Sequence, residues 1–170
     1  MTLERLWAGW RAPYVTASGE AATGADGTGE GESEPCVLCR VLADGSCVVW
    51  RGEQVAVVLN AYPYTSGHVM VVPLRHAADL EDLAAGEAGE LWRAATDAVR
   101  AIKAAYRPHG LNVGANLGRA AGAGVPGHLH VHVVPRWDGD TNFMTSTAET
   151  RVLPESLPVS LERLTGVWPS

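Results

Sequence analysis

Between Gly127 and Pro135 the chain reads Gly-His-Leu-His-Val-His-Val-Val-Pro, a histidine at every second position with an aliphatic residue between. Side chains of a strand alternate faces, so this stretch predicts a strand over His128–Pro135. His128, His130 and His132 fall on one face, and Leu129, Val131 and Val133 on the other. The aliphatic face needs a core to cover it. The imidazole face makes a poor core and is more than a surface needs, for it holds half of the chain's six histidines. Such a strand belongs in a sheet with one buried face and one working face. Imidazole is the side chain best suited to nucleophilic, acid–base or metal-binding work near neutral pH.

Partners for that strand follow from the periodicity elsewhere. Ser46–Arg51 and Gln54–Asn60 are apolar runs joined by Gly52-Glu53, a hairpin signal. His68–Pro73 and Leu111–Leu117 are further strand candidates. Leu91, Trp92, Ala95, Val99, Ile102 and Tyr106 recur at helical spacing, which predicts an amphipathic helix near 86–106, of roughly five turns, that Pro108 and Gly110 terminate. A short helix fits within Leu153–Leu164. The fold class is therefore α+β: a mostly antiparallel sheet of about five strands, one main helix and one short helix. At 170 residues and 46% hydrophobic, the chain has the size and the core of one ordinary domain.

Residues 17–34, ASGEAATGADGTGEGESE, offer almost nothing to bury and predict a mobile loop. The loop separates an aromatic arm, 1–16, from a main domain over 35–145 and a tail over 146–170. Leu6, Trp7, Trp10 and Tyr14 suit the arm for docking on its own domain or on a partner subunit. A net charge of −6 argues against a nucleic acid polymer as ligand. No apolar run is long enough for a membrane span, and the N-terminus lacks the apolar stretch of a signal peptide. Cys36, Cys39 and Cys47 make no disulfide framework, so a reducing cytoplasm is the expected compartment. Cys36-x-x-Cys39 is half of a zinc site or a redox pair. Cys47, in a strand run, reads as a small buried hydrophobe.

The Gly/Ala-rich segment Gly118–Gly127 follows Asn116 and leads directly into the histidine strand. Small residues let backbone N–H groups approach an anion. The Gly-Lys-Ser/Thr ending of a P-loop is missing. In this position the segment reads as a phosphate-binding hairpin loop.

The alternation over His128–Val134 has the form histidine-apolar-histidine-apolar-histidine-apolar-apolar. With Pro35–Cys39, the block Leu59–Pro73 and the stretch Trp137–Met144, it resembles the histidine triad family. The likeness is strongest to the bacterial branch that contains diadenosine tetraphosphate phosphorylases. It covers about residues 35–145 and the Leu-Trp-Ala-x-Trp-Arg-x-x-Tyr arm. The resemblance implies a HIT-like fold and a nucleotide-processing enzyme. His130 would attack an α-phosphorus to give a covalent nucleotidyl-histidine, His132 would hold the phosphate oxygens, and His68 would orient the phosphate or the nucleophile. For His68 a plain backbone-bonded strand histidine is the competing reading. Asn60 would bind ribose hydroxyls; Asn116, Gly118, Ala123 and Gly124 would line the phosphate side, with only the backbone N–H to offer at Gly124. Trp137 would stack on a base at the pocket mouth or simply pack. Cys36, Cys39, His76 and His128 would hold a structural zinc, with no organic cofactor. The implied substrate is a nucleotide or dinucleoside polyphosphate, with inorganic phosphate or water as acceptor, and the implied assembly a homodimer or higher homo-oligomer. Water would make the chain a dinucleoside polyphosphate or nucleoside phosphoramidate hydrolase. A nucleotide-binding regulatory module with little turnover is the alternative of a different class.

Overall fold

The computed structural model describes residues 36–140 and 155–169, so the aromatic arm, the loop over 17–34 and the residues 141–154 lie outside the described residues. Helix α1 (Val37–Asp44) is followed by β1 (Val48–Arg51), β2 (Val55–Leu59) and β3 (Val69–Pro73). Then come α2 (Ala85–Tyr106), β4 (Gly110–Gly114), β5 (Val131–Arg136) and α3 (Leu157–Thr165). The five strands form one antiparallel sheet in the order β1-β2-β3-β5-β4. This is the predicted α+β class.

The two faces of the sheet are covered unequally. On one, Val55, Val57, Leu59, Val69, Val71, Leu129, Val131 and Val133 pack under α2 and α3. The helix meets them with Leu91, Ala94, Ala95, Ala98, Ala101 and Ile102. The stripe differs from the predicted one at Trp92, which is 51% exposed. Four alanines let the helix backbone approach the sheet closely, and an indole in that seam would hold it off. On the other face α1 sets Leu38 and Leu42 over Ala56, Val58, Met70 and Val72. Its cover stops there, and β2 and β3 are buried along their whole length while β4 is not. The predicted reading had no helix over 37–44; Val37, Leu38, Val41 and Leu42 carry its spacing, and Gly45, left-handed at φ 76°, closes it with an N–H bond to the Val41 carbonyl.

All five strands are shorter than predicted, β1 to β3 by one or two residues, and the differences at β4 and β5 bear on the histidine run. β4 ends at Gly114, not Leu117, because its partner β5 pairs only from Gly110 to Gly114. β5 begins at Val131, so His128 and His130 precede the regular ladder. The β1–β2 hairpin is clamped from the helix: the Glu90 carboxylate accepts the backbone N–H groups of Glu53 (2.9 Å) and Gln54 (3.1 Å). Gly52 leaves room for that clamp, since a Cβ would lie 2.0 Å from Glu90 Oε1 and 2.5 Å from the Trp50 ring and would push the carboxylate aside.

Candidate active site and metal centre

The triad splits between two sites. His128 is fully buried, with Nε2 3.0 Å from the Pro73 carbonyl, which can only accept; that nitrogen therefore carries the proton and donates. Its Nδ1 lone pair then faces the thiols, 3.4 Å from Cys36 Sγ and 3.5 Å from Cys39 Sγ. His76 Nδ1 is 3.5 Å from Cys39 Sγ, and the four ligand atoms lie within 4.8 Å of one another. A tetrahedral zinc with ordinary Zn–S and Zn–N lengths sets its sulfur and nitrogen ligands about 3.6 Å apart, close to the spacing here. The donor chemistry also fits. Burial lowers the pKa of His128 and keeps it neutral, and the bond to Pro73 fixes the tautomer a metal needs. Burial and the neighbouring Cys36 raise the Cys39 thiol, a charge problem that a dication between the two sulfurs would remove.

His130 and His132 face a cavity of about 510 Å³. His130 is 5% exposed and has Nδ1 2.8 Å from the His128 carbonyl, so Nδ1 donates and the Nε2 lone pair is left for chemistry. That carbonyl would also stabilise positive charge developing on the ring during nucleophilic attack. A second chain of bonds sets His132. The Tyr64 N–H can only donate, so His68 Nδ1 accepts it at 3.1 Å and His68 Nε2 carries the proton. His68 Nε2–H in turn donates to His132 Nδ1 at 3.0 Å. His132 Nε2 is thereby protonated, a donor suited to a phosphate oxygen. Burial first, and His130 second, push the His132 pKa down to about 4, so the ring is neutral at pH 7.

Of the other residues singled out in the sequence, Asn60, Asn116 and Gly124 line this cavity. Asn60 Oδ1 accepts the Tyr62 N–H (2.9 Å), which orients its amide beside His68. His68 itself is fully buried behind His132. Ala123 is buried and its N–H is engaged by the Gly118 carbonyl (3.3 Å), so neither forms the wall. Trp137 packs edge-on against Tyr106 at the end of α2, 6.5 Å between ring centroids, and lines neither this cavity nor the one beside it. Cys47 is half-buried on the cavity wall rather than inside a strand. The apolar wall formed by Val37, Leu38 and Val41 of α1, with Met70 behind, was not anticipated. Its signal was the helical spacing directly after Cys36, overlapping the Cys-x-x-Cys pattern.

An apolar slot, two oriented amides, a glycine-rich loop and a buried imidazole with a free lone pair suit a nucleotide with its phosphate at His130. Comparisons agree with this geometry. The HIT domain family matches residues 44–139. The AP-4-A phosphorylase of Mycobacterium tuberculosis is 44% identical over 168 residues, 98% of this chain and 85% of that protein. A zinc-bound histidine triad family protein from Mycobacterium smegmatis superposes with a TM-score of 0.64 at 28% identity, covering 78% of this chain and 91% of that one. A hypothetical histidine triad nucleotide-binding protein from Sulfolobus tokodaii gives 0.65 at 27% identity, with the same coverage. With the family's domain matched over more than half its length, and a relative aligned along nearly all of it, the chain belongs to the HIT domain family, the histidine triad proteins.

Proposed function

We propose that this chain is a diadenosine tetraphosphate phosphorylase that works through a covalent nucleotidyl-histidine on His130. The observation that carries the reading is the His130 ring itself: Nδ1 is tied to the His128 carbonyl and the ring lines the nucleotide-sized cavity. The near full-length AP-4-A phosphorylase relative supports the choice of substrate. His130 Nε2 attacks the α-phosphorus, the bond to the bridging oxygen breaks, and ATP leaves while AMP stays on the ring. Inorganic phosphate then displaces the histidine to give ADP. His132 Nε2–H donates to a phosphate oxygen, and His68 holds it in that tautomer. The α1 wall takes the base and Asn60 the ribose hydroxyls.

The same reading places one structural zinc among Cys36, Cys39, His76 and His128, where it ties the start of α1 to the loop after β3. Four protein ligands leave no open position, so the metal contributes to folding and takes no part in the reaction. A homodimer or higher homo-oligomer belongs to the reading too; the outer edge of β4 is unpaired among the described residues and offers a surface. Two thiols in a metal cluster suit a reducing cytoplasm.

The decisive experiment is incubation with diadenosine tetraphosphate, with and without inorganic phosphate, and separation of the products. ADP and ATP in equal amounts, formed only with phosphate, is the expected result. AMP and ATP irrespective of phosphate would make water the acceptor and the chain a hydrolase. No turnover with tight nucleotide binding would make it a binding module.

A further inference from the structure

A second cavity, about 440 Å³, lies beside the first. Tyr64, Asn116 and His132 line both, whereas His130 lines only the first. The second cavity follows the open end of the sheet. His132, Val134 and Arg136 alternate along β5, and Gly114 and Asn112 stand opposite His132 and Val134 on β4. At its far end Arg136 gives Nε and Nη2 to Asp140 (2.6 and 2.7 Å) and Nη1 to Asn112 Oδ1 (2.9 Å). Those bonds use three of the five guanidinium N–H groups. They also leave the Asn112 amide nitrogen free to donate. The Asp140 side chain is only 10% exposed and the Arg136 side chain 44%, so the carboxylate sits behind the cation and aims it.

In-line displacement at the α-phosphorus puts the leaving oxygen on the side opposite His130 Nε2. The transferred nucleotide fills the first cavity, so the leaving chain must run the other way, past His132. Arg136 lies four residue steps beyond His132, about 13 Å at the rise of an extended chain. Arg136 therefore meets the distal part of a long leaving group and not the reacting phosphate. We propose that Asn112 and Arg136, aimed by Asp140, form a subsite for the distal phosphates of the leaving nucleoside triphosphate and so set a preference for long polyphosphate substrates. The Asp140 carboxylate offsets the charge of Arg136, so the subsite grips through hydrogen bonds without trapping the product. This proposal rests on the assignment of His130 as nucleophile.

The test compares two substrates that load the same nucleotide onto His130 with different leaving groups: diadenosine tetraphosphate, which releases ATP, and adenosine 5′-phosphoramidate, which releases ammonia. Asn112→Asp adds a carboxylate on an exposed edge-strand position and keeps the acceptor for Arg136, so folding is preserved. The ratio of kcat/KM for the tetraphosphate to that for the phosphoramidate should fall at least about tenfold, the loss of one charge-assisted hydrogen bond. Arg136→Gln should move the ratio the same way. A ratio unchanged in both variants overturns the subsite. Calorimetry in a His130→Ala background decides it without turnover: adding Asn112→Asp should weaken ATP at least about tenfold relative to AMP, and equal weakening of both overturns it. If the wild type cleaves neither substrate, the phosphorylase reading fails, and the ATP-to-AMP binding ratio still judges the subsite.

Discussion

His128 and His130 stand two residues apart and were predicted to share one strand face, yet their surroundings are opposite in kind. Both nitrogens of His128 are committed, one to the Pro73 carbonyl and one to the Cys36 and Cys39 thiols. His130 commits one nitrogen and keeps the other toward a cavity. The difference lies in α1. The residues at its start, Cys36 and Cys39, close over His128, while Val37 and Val41 on its flank form a cavity wall for His130. One short helix thus gives two like histidines different settings, one closed in beside two thiols and one left open to a cavity.

The largest effect is expected at His130. His130→Ala should lower kcat at least about a thousandfold while nucleotide affinity stays within a few-fold, because the covalent path is lost and the pocket is not emptied. His128→Ala should instead lower the melting temperature. Near wild-type turnover by His130→Ala would sink the assignment, as would oxygen-18 tracing that shows inversion at phosphorus, since two in-line displacements give retention.

Second is the metal. Metal analysis should find about one zinc per chain. Chelation should lower the melting temperature by roughly 10 °C, with activity lost only as the protein unfolds. Activity that vanished at full structural integrity would instead join the cluster to the chemistry.

How much of this was legible beforehand follows from where the signals were local. The period-two alternation over His128–Val134 and the period-3.6 pattern of α2 are properties of contiguous residues, and both elements formed. The α1 wall was missed because Cys36 and Cys39 invited a metal reading of a stretch whose apolar residues also carry helical spacing. Trp92 was misplaced because periodicity marks a face without its depth, and the alanine seam decided the depth. The Tyr64–His68–His132 chain of hydrogen bonds joins residues up to 68 positions apart, and Asn112 meets Arg136 only through the β4–β5 register. Pairings of that kind are set by tertiary structure and leave no local pattern.

Third is the protonation of the open end. His132 is neutral down to about pH 4 through burial and its neighbour His130. Its Nδ1 must be unprotonated to accept from His68, so kcat/KM should not lose His132 until the pH falls toward 4. Nuclear magnetic resonance of the assigned imidazole checks this directly; a midpoint near an ordinary 6.5 would break the relay through His68.

The smallest effect is expected on the structural side, at Glu87. Its carboxylate accepts from Arg75 Nε (3.0 Å) and Nη2 (2.8 Å) and from the Ala84 N–H (2.8 Å). Arg75 also donates to the Asp82 carbonyl, so the contact ties the start of α2 to the residue next to His76. The Arg75 bond first, and the Ala84 N–H second, hold the Glu87 carboxyl at about 2, below its ordinary 4.5. A carboxylate with a depressed folded-state pKa contributes stability that is fully present above about 4.5 and is lost as the pH falls through 2. Glu87→Gln should therefore melt a few degrees below wild type at pH 7, with the gap closing between pH 4.5 and 2. Because Glu87 braces the loop of His76 and touches nothing in the His130 cavity, kcat at pH 7 should not move. A gap that stays constant down to pH 2 would mean that the ion pair is not its source. A changed kcat would mean that the two ends of the histidine run are coupled through the β3–α2 loop.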